Sequence, residues 1–207
     1  MSAAEVLVID YGAGNLRSVT NAIAKLGYEP RMTDSAKDLK RARAVILPGV
    51  GAAAEAMKNL TRLGLVEPIR EYVAGGQPFF GVCLGLQVLL STSEEQGRHE
   101  CLAIVSGSVK RFPGALKTPH MGWNQVKQIR KHRVFDGIAD DTNFYFVHSY
   151  FAAPEDRSIV VGETDYGVTF CSAIARGNLL ATQFHPEKSG EAGLRLYDNF
   201  LKLALKS

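Results

Sequence analysis

"FFGVCLGLQVLL", residues 79–90, sets a cysteine between two apolar runs, with one glycine two positions before it and another two after. The first run reads as a buried strand, and the second, from Leu84 to Leu90, has helical spacing. Strand, tight turn and helix meeting at Cys83 is the geometry of a nucleophile elbow, here with Cys in place of Ser. Gly81 and Gly85 let the chain turn sharply and let a substrate approach. A helix starting near Leu84 aims free amides and partial positive charge at the sulfur, which activates it. A lone cysteine after an apolar strand is nevertheless more often packed core than nucleophile. A base elsewhere in the chain has to decide.

Working outward, the first ninety residues alternate strand and helix. "VLVID" leads through a Gly-Asn turn to a helix over about 16–26; "RAVILPG" leads to an Ala-rich helix; "LGLVEPIREYVAGG" is a helix ended by two glycines, before the strand that reaches Cys83. Continuous apolar strands suit a parallel sheet covered on both faces, and ligands of such sheets gather at the carboxyl ends of the strands. The middle of the chain differs. "AIVSGSVKRF", "NQVKQI", "NFYFVHSYFA", "SIVVGET" and "SAIARGNLLATQF" are β-branched or aromatic runs separated by Gly, Asp and Asn, which predicts antiparallel strands added to the sheet. A final amphipathic helix is expected over 191–205, with Leu194, Tyr197, Leu201 and Leu205 on one stripe. The expected fold is therefore α/β: a mostly parallel central sheet flanked by helices, with an added antiparallel section. No internal repeat or long linker divides it, so residues 1–207 are expected to form a single domain.

Composition agrees. At 207 residues and 46% hydrophobic the chain can bury a sizeable core. The net charge of +3 gives no electrostatic case for a nucleic-acid partner, and "VKQIRKHR" reads as a solvated face. Cys83, Cys101 and Cys171 are odd in number and widely spaced, which argues against disulfides and structural zinc and for a reducing, cytoplasmic setting. No secretory signal opens the sequence, and no apolar run is long enough to span a membrane. Neither a P-loop nor a full GxGxxG is present, since "DYGAGN" lacks the last glycine. No cofactor and no metal are expected.

The base comes from "ATQFHPEKS", residues 181–189, where His185 ends an apolar run and Glu187 follows two positions on. Pro186 keeps His185 out of the helical region, and in an extended segment residues i and i+2 share a side. The carboxylate can then reach the imidazole and fix its tautomer. Cys83, His185 and Glu187 form a nucleophile, a base and an orienter. The third part is "LPGVG", residues 47–51, in which glycines around Val50 permit an amide to point into a cleft. With the amide of Leu84 it would make an oxyanion hole. Gln87 lies one helical turn after Cys83 on the same face. Each segment alone has an ordinary structural reading; the three together point to acyl transfer through a thiol.

Taken together, "LPGVG", "GVCLGLQ" and "QFHPEKS" resemble, in that order, the signature segments of the triad, or class I, glutamine amidotransferases. "DYGAGNLRSV", "PHMGWN" at 119–124, "YFVHSY" at 145–150 and "HPEKSGEAGLRLYDNF" extend the likeness over essentially the whole chain, toward the glutaminase subunits of imidazole glycerol phosphate synthases. The resemblance implies that Cys83 attacks the glutamine side-chain amide, that His185 moves the proton, and that Glu187 orients the ring. It implies that Gly51, Gln87, Glu95, Ser149 and Tyr150 hold glutamine, while amides at Val50 and Leu84 take the oxyanion. It also implies a (β/α)₈-barrel cyclase as heterodimer partner. That partner would receive the ammonia and make imidazole glycerol phosphate and AICAR in histidine biosynthesis. The docking face is then expected at His120, Met121, Trp123, Asn124 and Lys188, with Trp123 as an aromatic anchor rather than a core residue.

Two departures from the family pattern stand at the pocket's edge: Ala53, where such sequences commonly carry Phe, and segment 96–107, which lacks the usual Gly-Leu-Gly run. A further expectation is that the Val50 amide points away until the partner and its ligand bind, leaving the isolated chain a poor glutaminase. Two alternatives remain open at this stage. One is a glutaminase feeding another synthase, or a cysteine hydrolase of γ-glutamyl bonds; the other is a non-catalytic redox or interaction module with Cys83 as a sensor thiol.

Overall fold

In the computed structural model, which describes residues 6–205, the first four strands are Val6–Ile9 (β1), Pro30–Thr33 (β2), Ala44–Leu47 (β3) and Phe79–Val82 (β4). All are parallel, in the order β2-β1-β3-β4. Every residue of β1, β3 and β4 is buried, because helices cover both faces. Alternate residues of one strand face opposite ways, so Phe79 packs on one side of the sheet and Phe80 on the other. Helices Ala36–Leu39 (α2), Ala53–Arg62 (α3) and Val66–Ala74 (α4) cover the Phe79 side, while Leu16–Lys25 (α1) and Gly190–Leu205 (α6) cover the Phe80 side. The short helix Leu84–Val88 (α5) follows β4 directly.

The added strands are Thr92–Ser93 (β5), His99–Glu100 (β6), Gly107–Arg111 (β7), His120–Gln128 (β8), Thr142–His148 (β9), Tyr150–Pro154 (β10), Val160–Asp165 (β11), Thr169–Arg176 (β12) and Leu179–Thr182 (β13); they pair with one another antiparallel, except that β5 runs parallel to β7. The run 172–184 is not one strand. It turns at Gly177-Asn178, so that β12 and β13 pair antiparallel while β13 lies parallel to β4. Thr182 thereby registers with Val82, and the residues after both strands emerge at the same edge of the sheet. β8 and β9 form a hairpin that reaches the rest of the sheet through β11.

The last helix buries Gly193, Leu196, Tyr197, Phe200, Leu201 and Ala204. This corrects the expected stripe, leaving Leu194 and Leu205 half-buried at its margins. The cause is Gly193, where a Cβ would stand 1.9 Å from the Pro186 carbonyl oxygen. Its absence draws the helix onto the turn that carries Glu187. "VKQIRKHR" is solvated as expected at Lys127, Arg130, Lys131 and Arg133. Among the described residues no helix is long and apolar enough to cross a membrane.

Candidate active site

Cys83 stands between β4 and α5 with φ 53° and ψ −103°, a region that costs a non-glycine residue about 1–3 kcal/mol. Packing holds it there. The Cys83 amide donates to the Thr182 carbonyl at 2.7 Å, and its own carbonyl accepts from Leu86 and Gln87. Gly85 is required beside it, because a Cβ there would meet the Leu47 carbonyl oxygen at 1.9 Å. The elbow read from the sequence is thus present. Cys101 and Cys171 are different: burial pushes their thiols up, to about 11 and about 12, which leaves them inert as nucleophiles.

Beyond β13 the chain brings His185 to the same edge. Residues Pro186–Lys188 form a 3-10 turn rather than the extended segment expected, and the predicted contact is kept: His185 Nδ1 faces Glu187 Oε1 at 2.8 Å. The two side chains are 1% and 0% exposed. A carboxylate at Nδ1 fixes the tautomer that leaves Nε2 as the basic nitrogen. Nε2 is buried with no regularly formed hydrogen bond, and the Cys83 sulfur is close enough to act on the ring through both its charge and a loose side-chain hydrogen bond. Burial by itself lowers the imidazolium pKa, yet the negative charge of Cys83 and then the Glu187 carboxylate override it and raise His185 to about 10. Sulfur and carboxylate thus both favour the protonated ring between them.

Several supporting residues carried no sequence signal strong enough to find them. The Asn15 amide donates to Glu187 Oε1 at 2.5 Å, and the Tyr197 hydroxyl donates to Oε2 at 3.4 Å. Asn15 reaches there because it takes the left-handed conformation, φ 77°, in the turn before α1. Gln183 Nε2 donates to Cys83 Sγ at 3.6 Å, and Gln87 Nε2 donates to both Gln183 Oε1 and the Tyr150 carbonyl. The Ser189 hydroxyl donates to the His185 carbonyl and accepts from the Tyr145 amide.

A cavity of about 560 Å³ opens over the sulfur, and Gly51, Gln87, Glu95, Ser149 and Tyr150 line it together with Cys83, Val50, Leu84 and Lys188. Glu95 Oε2 accepts from the Ala53 amide at 2.8 Å, at the positive end of α3. Ala53 is fully buried and supports Glu95 through its backbone. A smaller hollow of about 270 Å³ lies at the other end of β4 and β13, lined by Pro78, Gly177 and Phe200.

The two-amide oxyanion hole is not formed in this conformation. The Leu84 amide donates to the Gly49 carbonyl at 3.4 Å, and Gly49–Val50 is a trans peptide. Carbonyl and N–H of one trans peptide point oppositely, so the Val50 amide is turned away from that of Leu84. Tyr11 packs beneath Gly49, its hydroxyl 2.2 Å from where a glycine Cβ would stand. That hydroxyl is buried without a partner.

Beside the cavity, strand alternation divides the expected docking residues. Met121 is 62% and Trp123 57% exposed, and opposite them across the hairpin stand Val147 and Tyr145. Lys188 Nζ lies 5.8 Å from the Tyr145 ring centroid. His120 corrects the expectation: it is 4% exposed, stacked between Phe146 and Tyr166. Asn124 turns inward as well, toward His120 and the Asp165 carbonyl. Neighbouring residues of one strand cannot all face a partner.

Comparison with known proteins places this geometry. Residues 7–204 match the family described as Glutamine amidotransferase class-I. The imidazole glycerol phosphate synthase subunit HisH of Dehalococcoides mccartyi is 54% identical over 200 residues, covering 97% of this chain and 98% of that one. The HisH subunit of Syntrophotalea carbinolica is 50% identical over 202 residues, covering 94% and 98%. A crystal structure of a glutamine amidotransferase superposes with a TM-score of 0.75 at 20% identity, over 96% of this chain and 98% of its own. The structure of PurLQS from Thermotoga maritima gives 0.75 at 18%, over 96% and 97%; at such identities the likeness speaks for the fold. This chain belongs to the class-I glutamine amidotransferase family, on the branch of the HisH subunits.

Proposed function

We propose that the chain, acting as one domain, hydrolyses glutamine to glutamate and ammonia and delivers the ammonia to a partner cyclase subunit. The observation that carries this reading is the His185 ring set between the Cys83 sulfur and the Glu187 carboxylate, below a cavity large enough for an amino acid. Cys83 Sγ attacks the side-chain carbonyl carbon of glutamine, and the oxygen becomes an oxyanion. His185 gives its Nε2 proton to the leaving nitrogen, ammonia departs, and a γ-glutamyl thioester remains. Water, deprotonated at Nε2, then attacks the thioester carbon, and glutamate leaves as the sulfur is released. Gly51, Gln87, Glu95, Ser149 and Tyr150 hold the substrate in the cavity they line.

The oxyanion needs the Val50 amide, so the Gly49–Val50 peptide has to turn. The partner shifts this equilibrium by binding the turned state better. Met121, Trp123, Tyr145 and Val147 with Lys188 form the docking face at the cavity mouth, and the partner is a (β/α)₈-barrel cyclase. A covered path matters because ammonia released into neutral water is protonated and lost as a nucleophile. The lyase step that yields imidazole glycerol phosphate and AICAR belongs to that partner, in the cytoplasm, as part of histidine biosynthesis. This chain contributes the hydrolysis.

Copurification with a barrel cyclase tests the reading. Glutamine-dependent imidazole glycerol phosphate formation is expected from the wild-type complex, and Cys83→Ala should abolish it while ammonia-dependent synthesis survives. Loss of both activities would make Cys83 structural. No glutamine-dependent synthesis with any cyclase would favour a glutaminase for another synthase.

A further inference from the structure

The two histidines that the docking face excludes are joined in a continuous chain of hydrogen bonds that ends on the nucleophile. His148 Nδ1 meets the Tyr150 carbonyl at 2.8 Å, and His148 Nε2 meets His120 Nδ1 at 3.0 Å. His120 Nε2 meets the Asn124 side-chain amide at 3.2 Å. From Tyr150 the chain continues: its carbonyl also accepts from Gln87 Nε2 at 2.8 Å, Gln87 donates to Gln183 Oε1 at 3.2 Å, and Gln183 donates to Cys83 Sγ.

Every proton in this chain has one assignment. A carbonyl cannot donate, so His148 carries its hydrogen on Nδ1 and accepts at Nε2. His120 must then carry its hydrogen on Nδ1 and accept at Nε2 from Asn124. With both rings neutral, this assignment satisfies all four ring nitrogens within an aromatic cluster that includes Phe112, Phe146 and Phe170. Burial supports the neutral forms, lowering His120 to about 4 and His148 to about 3. A cluster needed only for packing gains nothing from four buried polar nitrogens that phenylalanine would avoid.

We propose that His120 and His148 are positioning residues of the thiol site: the pair pins the Tyr150 carbonyl against Gln87 and so fixes, through Gln183, the donor on the Cys83 sulfur. His148 and Tyr150 both line the cavity, so the pair also sets the cavity wall. One end of the chain lies on the strand that carries Met121 and Trp123, and the other lies on the nucleophile. The proposal rests on the glutaminase reading for its kinetic consequence, but not for its effect on the thiol.

The test uses the shapes of the two amides. In His148→Asn the amide nitrogen falls near the place of Nδ1 and keeps the bond to Tyr150. In His148→Gln it falls near Nε2 and loses that bond; His148→Phe loses both. Two readouts are taken at matched thermal midpoints: KM and kcat for glutamine in the complex with the cyclase, and the rate at which iodoacetamide alkylates Cys83, read on its own peptide by mass spectrometry. Losing one hydrogen bond in the chain should raise KM and change the Cys83 alkylation rate by roughly three- to tenfold in His148→Gln and His148→Phe, with kcat changed less. His148→Asn, which keeps the bond to Tyr150 but drops the one to His120, should fall between these and wild type, at about two- to threefold. Should His148→Gln fail to fold, Asn124→Ser at the half-exposed end carries the test, with a change of about two- to threefold in the same direction. Equal alkylation rates in all variants, or losses that follow thermal stability alone, overturn the proposal. The predicted alkylation pattern in a protein that hydrolyses no glutamine would sink the functional reading and leave the positioning role standing.

Discussion

Replacing Val50 with glycine should raise the glutaminase rate of the chain in the absence of its partner. The resting peptide holds the Gly49 carbonyl on the Leu84 amide at 3.4 Å, and the Val50 amide faces the other way. Turning that peptide by about half a rotation forfeits one long hydrogen bond. It also carries Val50, whose φ is not positive at rest, into the left-handed half of φ space. For an L-residue that region costs roughly 1–2 kcal/mol, and glycine is free of the penalty. Removing it should enrich the turned state about 5- to 30-fold, since about 1.4 kcal/mol is a factor of ten. The assay is glutamate release by the isolated chain, where kcat should rise by that factor with KM little changed. In the fully stimulated complex, where the peptide is already turned, the two proteins should converge. A Val50→Gly chain no faster than wild type, yet folded and binding glutamine normally, would refute the switch. So would an equal gain with and without the partner.

Glu187→Gln removes the charge that holds the His185 imidazolium while keeping a neutral acceptor for Asn15; kcat should fall about a hundredfold or more, with the His185 pKa displaced downward in an NMR titration. Tyr11→Phe deletes a buried hydroxyl that has no partner and should raise stability by about 1 kcal/mol in denaturant unfolding; a loss would mean that the hydroxyl is bonded in solution. His120 and His148, held neutral at about 4 and about 3, bind fewer protons folded than unfolded, where a histidine titrates near about 6.5. Their stabilising effect is complete above about 6.5 and is lost as pH falls, by about 2 kcal/mol each by pH ~5. His185, raised to about 10, acts in the opposite sense: its contribution is full below about 6.5 and is lost between there and about 10. Unfolding midpoints across this range should therefore fall on both sides of a maximum, and a flat profile would contradict both assignments.

The elbow at Cys83 was legible because its causes are local: an apolar strand, a cysteine and a glycine that Leu47 demands. His185 and Glu187 were legible as a pair for the same reason, although the turn that joins them is 3-10 and not extended. What brings the base to the nucleophile is the parallel pairing of β13 with β4, between segments about a hundred residues apart. No local pattern fixes such a pairing, and the run that contains β13 reads as one strand until its Gly177-Asn178 turn is seen. Asn15 and Gln183 were missed for a related reason, since an amide acquires a role only from what the fold sets opposite it. His120 was placed on the wrong face because a six-residue motif was read as one surface, whereas the pleat sends its members alternately in and out.

Hydrolysis by this route requires the sulfur of Cys83 to carry the acyl group. The complex with its partner subunit, quenched with acid during glutamine turnover and digested, should show a γ-glutamyl adduct on the Cys83 peptide by mass spectrometry. The adduct should be absent in Cys83→Ala. Glutamine turnover with no adduct on that peptide, or turnover that persists in Cys83→Ala, would contradict the account.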